Sequence, residues 1–161
     1  MTTALLTAVR AAQAASLSGV EVIDGPPTLV PAGVSEALVI GADWDPSEGL
    51  FASSAFEPFS DFAQLETITV PGAVMVKSGE PAQSTAVTAR AFTILAALKD
   101  VLTADPTLGG TVGYTLDVSG GGRAEAASLA RLTTVSARRS ATGGPRCVLT
   151  FTVGAQAVIA D

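Results

Sequence analysis

Hydrophobic positions recur along this chain in two periods, one helical and one alternating. In residues 3–17, Leu5, Val9 and Ala12 fall on one face at helical spacing with Leu6 alongside, which predicts an amphipathic first helix. Thr2 or Thr3 is the expected N-cap and Gly19 the expected terminator. Val20-Glu21-Val22 then alternates as a short strand that Asp24-Gly25-Pro26-Pro27 stops with a turn. Leu38-Val39-Ile40 is wholly apolar, as expected of a buried strand. From Asp43 to Asp61 the pattern dissolves into an acidic stretch dotted with Pro46, Gly49 and Pro58, read as a long loop of the functional or disordered kind.

Order returns at Leu65. Thr67 and Thr69 alternate with Ile68 and Val70; Pro71-Gly72 interrupts, and Ala73–Val76 continues, so a bulge or an edge position is expected at the break. Val87, Ala91, Ile94, Leu95, Leu98 and Leu102 form the clearest helical stripe, with Pro81 suited to the first turn and Asp105-Pro106 ending the helix. Val112, Tyr114, Leu116 and Val118 alternate, residues 125–137 read as a weaker strand, and Arg138–Arg146 reads as a hairpin loop. Leu149, Phe151, Val153, Ala155, Ala157 and Ile159 alternate to the end. The order α-β-β-β-α-β-β-β predicts one α+β domain spanning residues 1–161, a mixed, largely antiparallel sheet with two helices on one face.

A chain of 161 residues can build its own core, and 48% apolar against 15% charged residues excludes a disordered solvating polypeptide. No uninterrupted apolar stretch of about 18 residues is present, so no membrane segment is expected. The first residues resemble a secretory leader only superficially, because no basic side chain precedes Leu5 and Arg10 falls inside the apolar part; a cytosolic product is expected. Histidine is absent and Cys147 is the sole cysteine, which removes the usual zinc sites, the Ser-His-Asp triad, the Cys-His dyad and an internal disulfide.

Charge is unevenly spread. Residues 1–75 hold nine acids against Arg10 alone, a net −8. Residues 120–161 hold five arginines against two acids, a net +3. An acidic total of −6 argues against general nucleic-acid or anionic-membrane binding, while the polarity permits head-to-tail contact between copies.

Local motifs carry little chemistry. Ser119-Gly120-Gly121-Gly122-Arg123 lacks the lysine and the following hydroxyl of a phosphate loop and reads as a turn. Asp43-Trp44-Asp45 pairs two carboxylates around the sole tryptophan but lacks the further ligands of a calcium loop, leaving an acidic surface loop. Cys147 reads as a buried structural thiol on the inward face of the last strand. Arg138-Arg139 could bind carboxylates at a hairpin tip or simply protect an edge. No nucleophile, base and orienting group assemble, so neither catalysis nor a cofactor or metal is expected.

Taken in order, the segments resemble the tail terminator proteins of long-tailed bacteriophages and prophages, especially those of high-GC hosts. The resemblance runs through the first helix, Gly19–Pro27, Ala37–Gly41, Glu66–Pro71, Val76–Glu80, the helix from Arg90-Ala91-Phe92 to Ala104–Gly110, Val118–Gly121 and the final strand. Seven arginines against two lysines, with abundant alanine, fit such a source. The resemblance implies a structural protein of the virion tail, assembled in the host cytoplasm, that ends tail-tube polymerisation as a ring, commonly of six subunits. Its partners would be itself, the tail tube protein and a head-completion or stopper protein. Asp43, Trp44, Asp45, Arg138 and Arg139 are the expected contact residues, although the Asp43–Asp61 segment is where such proteins vary most. A neck, stopper or minor tail component, the cap of a phage-derived injection machine, and a small-ligand-binding or enzymatic α+β domain remain alternatives.

Overall fold

Long-range β pairing organises the chain. The structure, a computed structural model, describes residues 1–26, 30–42, 53–60, 63–110, 114–118, 122–126, 130–140 and 144–160. Its elements are α1 (Thr2–Ser16), β1 (Glu21–Asp24), β2 (Glu36–Ile40), β3 (Ser53–Ser60), β4 (Ala63–Lys77), α2 (Ser84–Ala104), β5 (Tyr114–Val118), β6 (Gly122–Ala126), β7 (Arg131–Ser140) and β8 (Arg146–Ala160). A six-stranded sheet runs in the order β1-β2-β4-β8-β7, with β3 also on β4; β5 and β6 form a separate two-stranded pair. Among the described residues β1·β2 is the one parallel pairing and the others are antiparallel. The domain is of the expected α+β class.

Both helices bury their stripes against one face. Leu5, Leu6 and Val9 of α1 and Val87, Ala91, Ile94, Leu95, Leu98 and Leu102 of α2 share a core with Leu38, Ile40, Val70, Val74, Leu149, Phe151 and Val153. The alternation of β8 explains this, since its odd-numbered residues from Cys147 to Ala155 all point to that face. A smaller cluster on the opposite face joins Ile23, Ala37, Val39, Ala73, Met75 and Val148, with Val30 and Val34 laid over it. Asp105 closes α2: its carboxylate accepts from the Thr107 hydroxyl at 2.8 Å and the Gly109 N–H at 2.7 Å. These bonds, the Thr107 hydroxyl foremost, hold the Asp105 pKa below the usual carboxylate range.

Five sequence expectations need correction. Thr2 is the first helical residue and is buried, and Met1 is the N-cap, with no side-chain cap bond. The irregular Asp43–Asp61 segment contains the eight-residue strand β3; Ser53–Pro58 are exposed on both faces, so no alternation marks them. Pro71-Gly72 makes no break or bulge, because β4 pairs with β8 without a register shift over all fifteen residues. The other expectation, an edge position, is what the structure has: on its opposite side β4 changes partner there, from β3 at Ala63–Thr69 to β2 at Gly72–Val76. Proline fits that gap because no strand among the described residues pairs with it on that side to require its missing N–H, and its carbonyl accepts the Gly41 N–H at 2.8 Å. Gly72 is required sterically: a Cβ there would lie 2.4 Å from the Phe151 ring and 2.7 Å from the Val39 carbonyl oxygen. The single weak strand expected over 125–137 is two strands, β6 and β7. A hairpin loop is expected from Arg138, but β7 runs through to Ser140, so Arg138 and Arg139 are strand residues.

Candidate functional site

The arginines lie on the outer strand of the sheet. Arg131, Arg138 and Arg139 belong to β7, whose ten residues are exposed except for half-buried Leu132. β7 contains no acid, and among the described residues only β8 pairs with it. Register assigns the faces. Arg138 lies opposite Val148 and Arg139 opposite Cys147, so Arg139 shares the helix-covered face and Arg138 the other. The opposite edge of the main strand order is β1, where Glu21 and Asp24 are exposed while Val22 and Ile23 are buried. One sheet therefore carries acid along one edge and arginine along the other. In the sequence both halves of this pattern are visible as composition, and Glu21 between Val20 and Val22 reads as outward-pointing.

Cys147 is fully buried at the start of β8. Burial pushes its thiol pKa up, partly opposed by a hydrogen bond from the Thr88 hydroxyl and by the charge of Arg139. The structural-thiol expectation therefore fits its surroundings. Arg90 reaches from α2 to Glu36 on β2, with Nη2 2.7 Å from Oε2 and Nε 3.0 Å from each carboxylate oxygen. This bidentate pair raises the Arg90 pKa and ties helix to sheet at half-buried positions. Asp43, Trp44 and Asp45 lie outside the described residues, as does 119–121 of the glycine cluster; Gly122 and Arg123 begin β6. Among the described residues no group of three or more His, Cys, Asp or Glu could hold a metal ion. Nor is any described helix long and apolar enough to cross a membrane.

Apolar exposure accompanies the charged edges. Phe56 on β3, Phe92 on α2 and Val135 on β7 are about half exposed. An open cleft lined by Thr67, Thr69, Arg131, Thr133 and Gln156 adjoins the start of β7, and the Gln156 amide bonds the Thr67 hydroxyl at 3.0 Å across it. A second shallow groove follows Thr3, Ala4, Thr7, Ala8 and Ala11 of α1 toward Leu108. Neither brings a convergent set of titratable groups together. No protein-family model matches the chain, and no curated protein matches it significantly in sequence.

Proposed function

We propose that this chain is a phage assembly protein of the tail-terminator kind. In this reading it associates with itself into a ring, caps the growing tail tube and stops its polymerisation. The opposite surface of the ring then receives the head-completion or stopper protein, and the mature location is the virion tail. The observation that carries the reading is the polarity of the sheet, with Glu21 and Asp24 exposed on β1 and three arginines on β7. Opposite charge at two edges of one rigid scaffold favours a heterologous contact, which closes into a ring when the rotation between copies allows. The resemblance of the sequence segments, taken in order, to tail terminators supports the same reading.

Deleting the gene tests it. A tube polymerises because each ring exposes an end that templates the next, and a cap with one tube-like face blocks further addition. Overlong tails without heads are the expected outcome. Tails of normal length joined to heads would overturn the reading.

A further inference from the structure

Pairing registers across the whole sheet specify how two copies would meet. Glu21 pairs with Ala37, Ala37 with Met75, Met75 with Val148 and Val148 with Arg138. These five residues form one continuous row, with an acid at one end and an arginine at the other, all on the face away from the helices. The next row, Val22-Leu38-Val74-Leu149-Ala137, lies on the helix face. Strand direction adds a second constraint. β1 and β2 run together, β4 runs against them, β8 against β4 and β7 against β8, so β1 and β7 run in opposite directions.

We propose that the exposed edge of β7 adds in antiparallel fashion to β1 of a second copy of this chain, with Arg138 opposite Glu21 and Val135 opposite Asp24. The inference deepens the proposed self-association and rests on that reading. A sideways shift of about five strand spacings, near 24 Å, brings a second copy into this register, and the twist that accumulates across the sheet turns it relative to the first, the rotation a closed ring needs. Every row then continues into the next molecule, with each side chain on its proper face. Charge selects the occupant. Two β7 edges would set three arginines against three, and two β1 edges would set two acids against two; of these three pairings, β7 against β1 is the one that joins opposite signs. β3 is a poorer partner for β7. It pairs with Ala63–Thr69, whose β8 partners are Gly154–Ala160, whereas β7 pairs with Arg146–Gly154. The two strands share only the terminal row, and Pro58 removes a ladder donor from β3.

Disulfide trapping in the full-length chain tests the register. Glu21 and Arg138 are exposed, so a Glu21→Cys/Arg138→Cys double variant should fold normally, and native Cys147 is buried. Under mild oxidation the double variant is expected to give a ladder of covalent dimers and larger species. Each single variant alone should stay monomeric, and an equal mixture of the two should give dimers only. Charge reversal supplies a second reading: Arg138→Glu should raise the concentration for half-assembly about threefold to tenfold, and adding Glu21→Arg should restore it. Assembly without cross-linking of the double variant, or cross-linking of Glu57→Cys/Arg138→Cys in its place, would overturn the edge pairing and leave the terminator reading standing. Cross-linking as described, combined with normal tails in the deletion, would uphold the interface and overturn that reading. A chain that stays monomeric and uncross-linked even with tail tube present would overturn both.

Discussion

β2 and β7 flank the same central ribbon of β4 and β8, one on each side, and their fates differ completely. Leu38 and Ala137 stand in one row of the sheet. Leu38 is fully buried, beneath the helices, and Val39 beside it is sealed on the other face by Val30 and Val34. Ala137 and its neighbours are exposed on both faces. The two strands differ in pairing and in cover: β2 is laddered to β1 and β4 and sealed on both faces, whereas among the described residues β7 is laddered to β8 alone and open on both. A strand covered on both faces serves the core, whereas one left open on two faces and one edge is available to another molecule.

The largest expected effect breaks the comparison on its buried side. Leu38→Ala removes a large apolar side chain from a close-packed site and should cost about 2–5 kcal/mol. Denaturant unfolding should register it as a lower midpoint with an unchanged slope. A loss below about 1 kcal/mol would mean that the core around β2 is loosely packed.

Gly72→Ala comes next and probes the point where β4 exchanges partners. The added methyl would fall inside contact distance of the Phe151 ring and the Val39 carbonyl, and overpacking of this kind costs about 1–3 kcal/mol. Combining it with Phe151→Leu relieves one of the two clashes. The double variant should then be more stable than the sum of the single losses. Strict additivity would show that the ring does not press on Gly72.

The contrast between β2 and β7 also sets how much the sequence revealed. β2 is legible because Leu38-Val39-Ile40 is apolar without interruption, as two-sided burial demands. The helix stripes are legible for a related reason: a single buried face imposes a 3.6-residue period, and Val87, Ala91, Ile94, Leu95, Leu98 and Leu102 are all buried. β3 and most of β7 lack a buried face, so their residues satisfy no period, and from sequence β3 reads as part of a long loop and Arg138-Arg139 as part of a hairpin loop. Pro71 marks an edge position, one of the two readings its sequence allows, but the setting is not legible locally. Its meaning depends on β3 and β2 meeting end to end along β4, an arrangement no local window contains. Acid and arginine are both visible as composition, but their placement at opposite edges of one sheet emerges only through the registers joining Glu21 to Arg138.

A third effect separates helix anchoring from strand burial. Glu36→Gln keeps the shape of the half-buried pair with Arg90 and removes its charge, so a loss of about 1 kcal/mol is expected. Added salt should narrow the gap between wild type and variant, because partial exposure leaves the pair open to screening. A gap that is the same at low and high salt would assign the loss to packing.

The smallest expected effect falls on the exposed side and sharpens the comparison most. Val135 is 47% exposed on β7, in the same row as Phe151 and Gly72. Val135→Ser removes apolar surface that is already half in water, and changes at such positions usually cost under about 0.5 kcal/mol. Unfolding of dilute monomer should be nearly unchanged. Association is where the substitution should register, since the proposed pairing buries Val135 beside Asp24 of the next copy, and loss of its side chain weakens that contact without altering charge. Comparing dilute unfolding with concentration-dependent sedimentation isolates the two contributions. Destabilisation of the monomer by more than about 1 kcal/mol would show that β7 belongs to the packed core as β2 does, and the distinction between a covered strand and an available one would fail at this position.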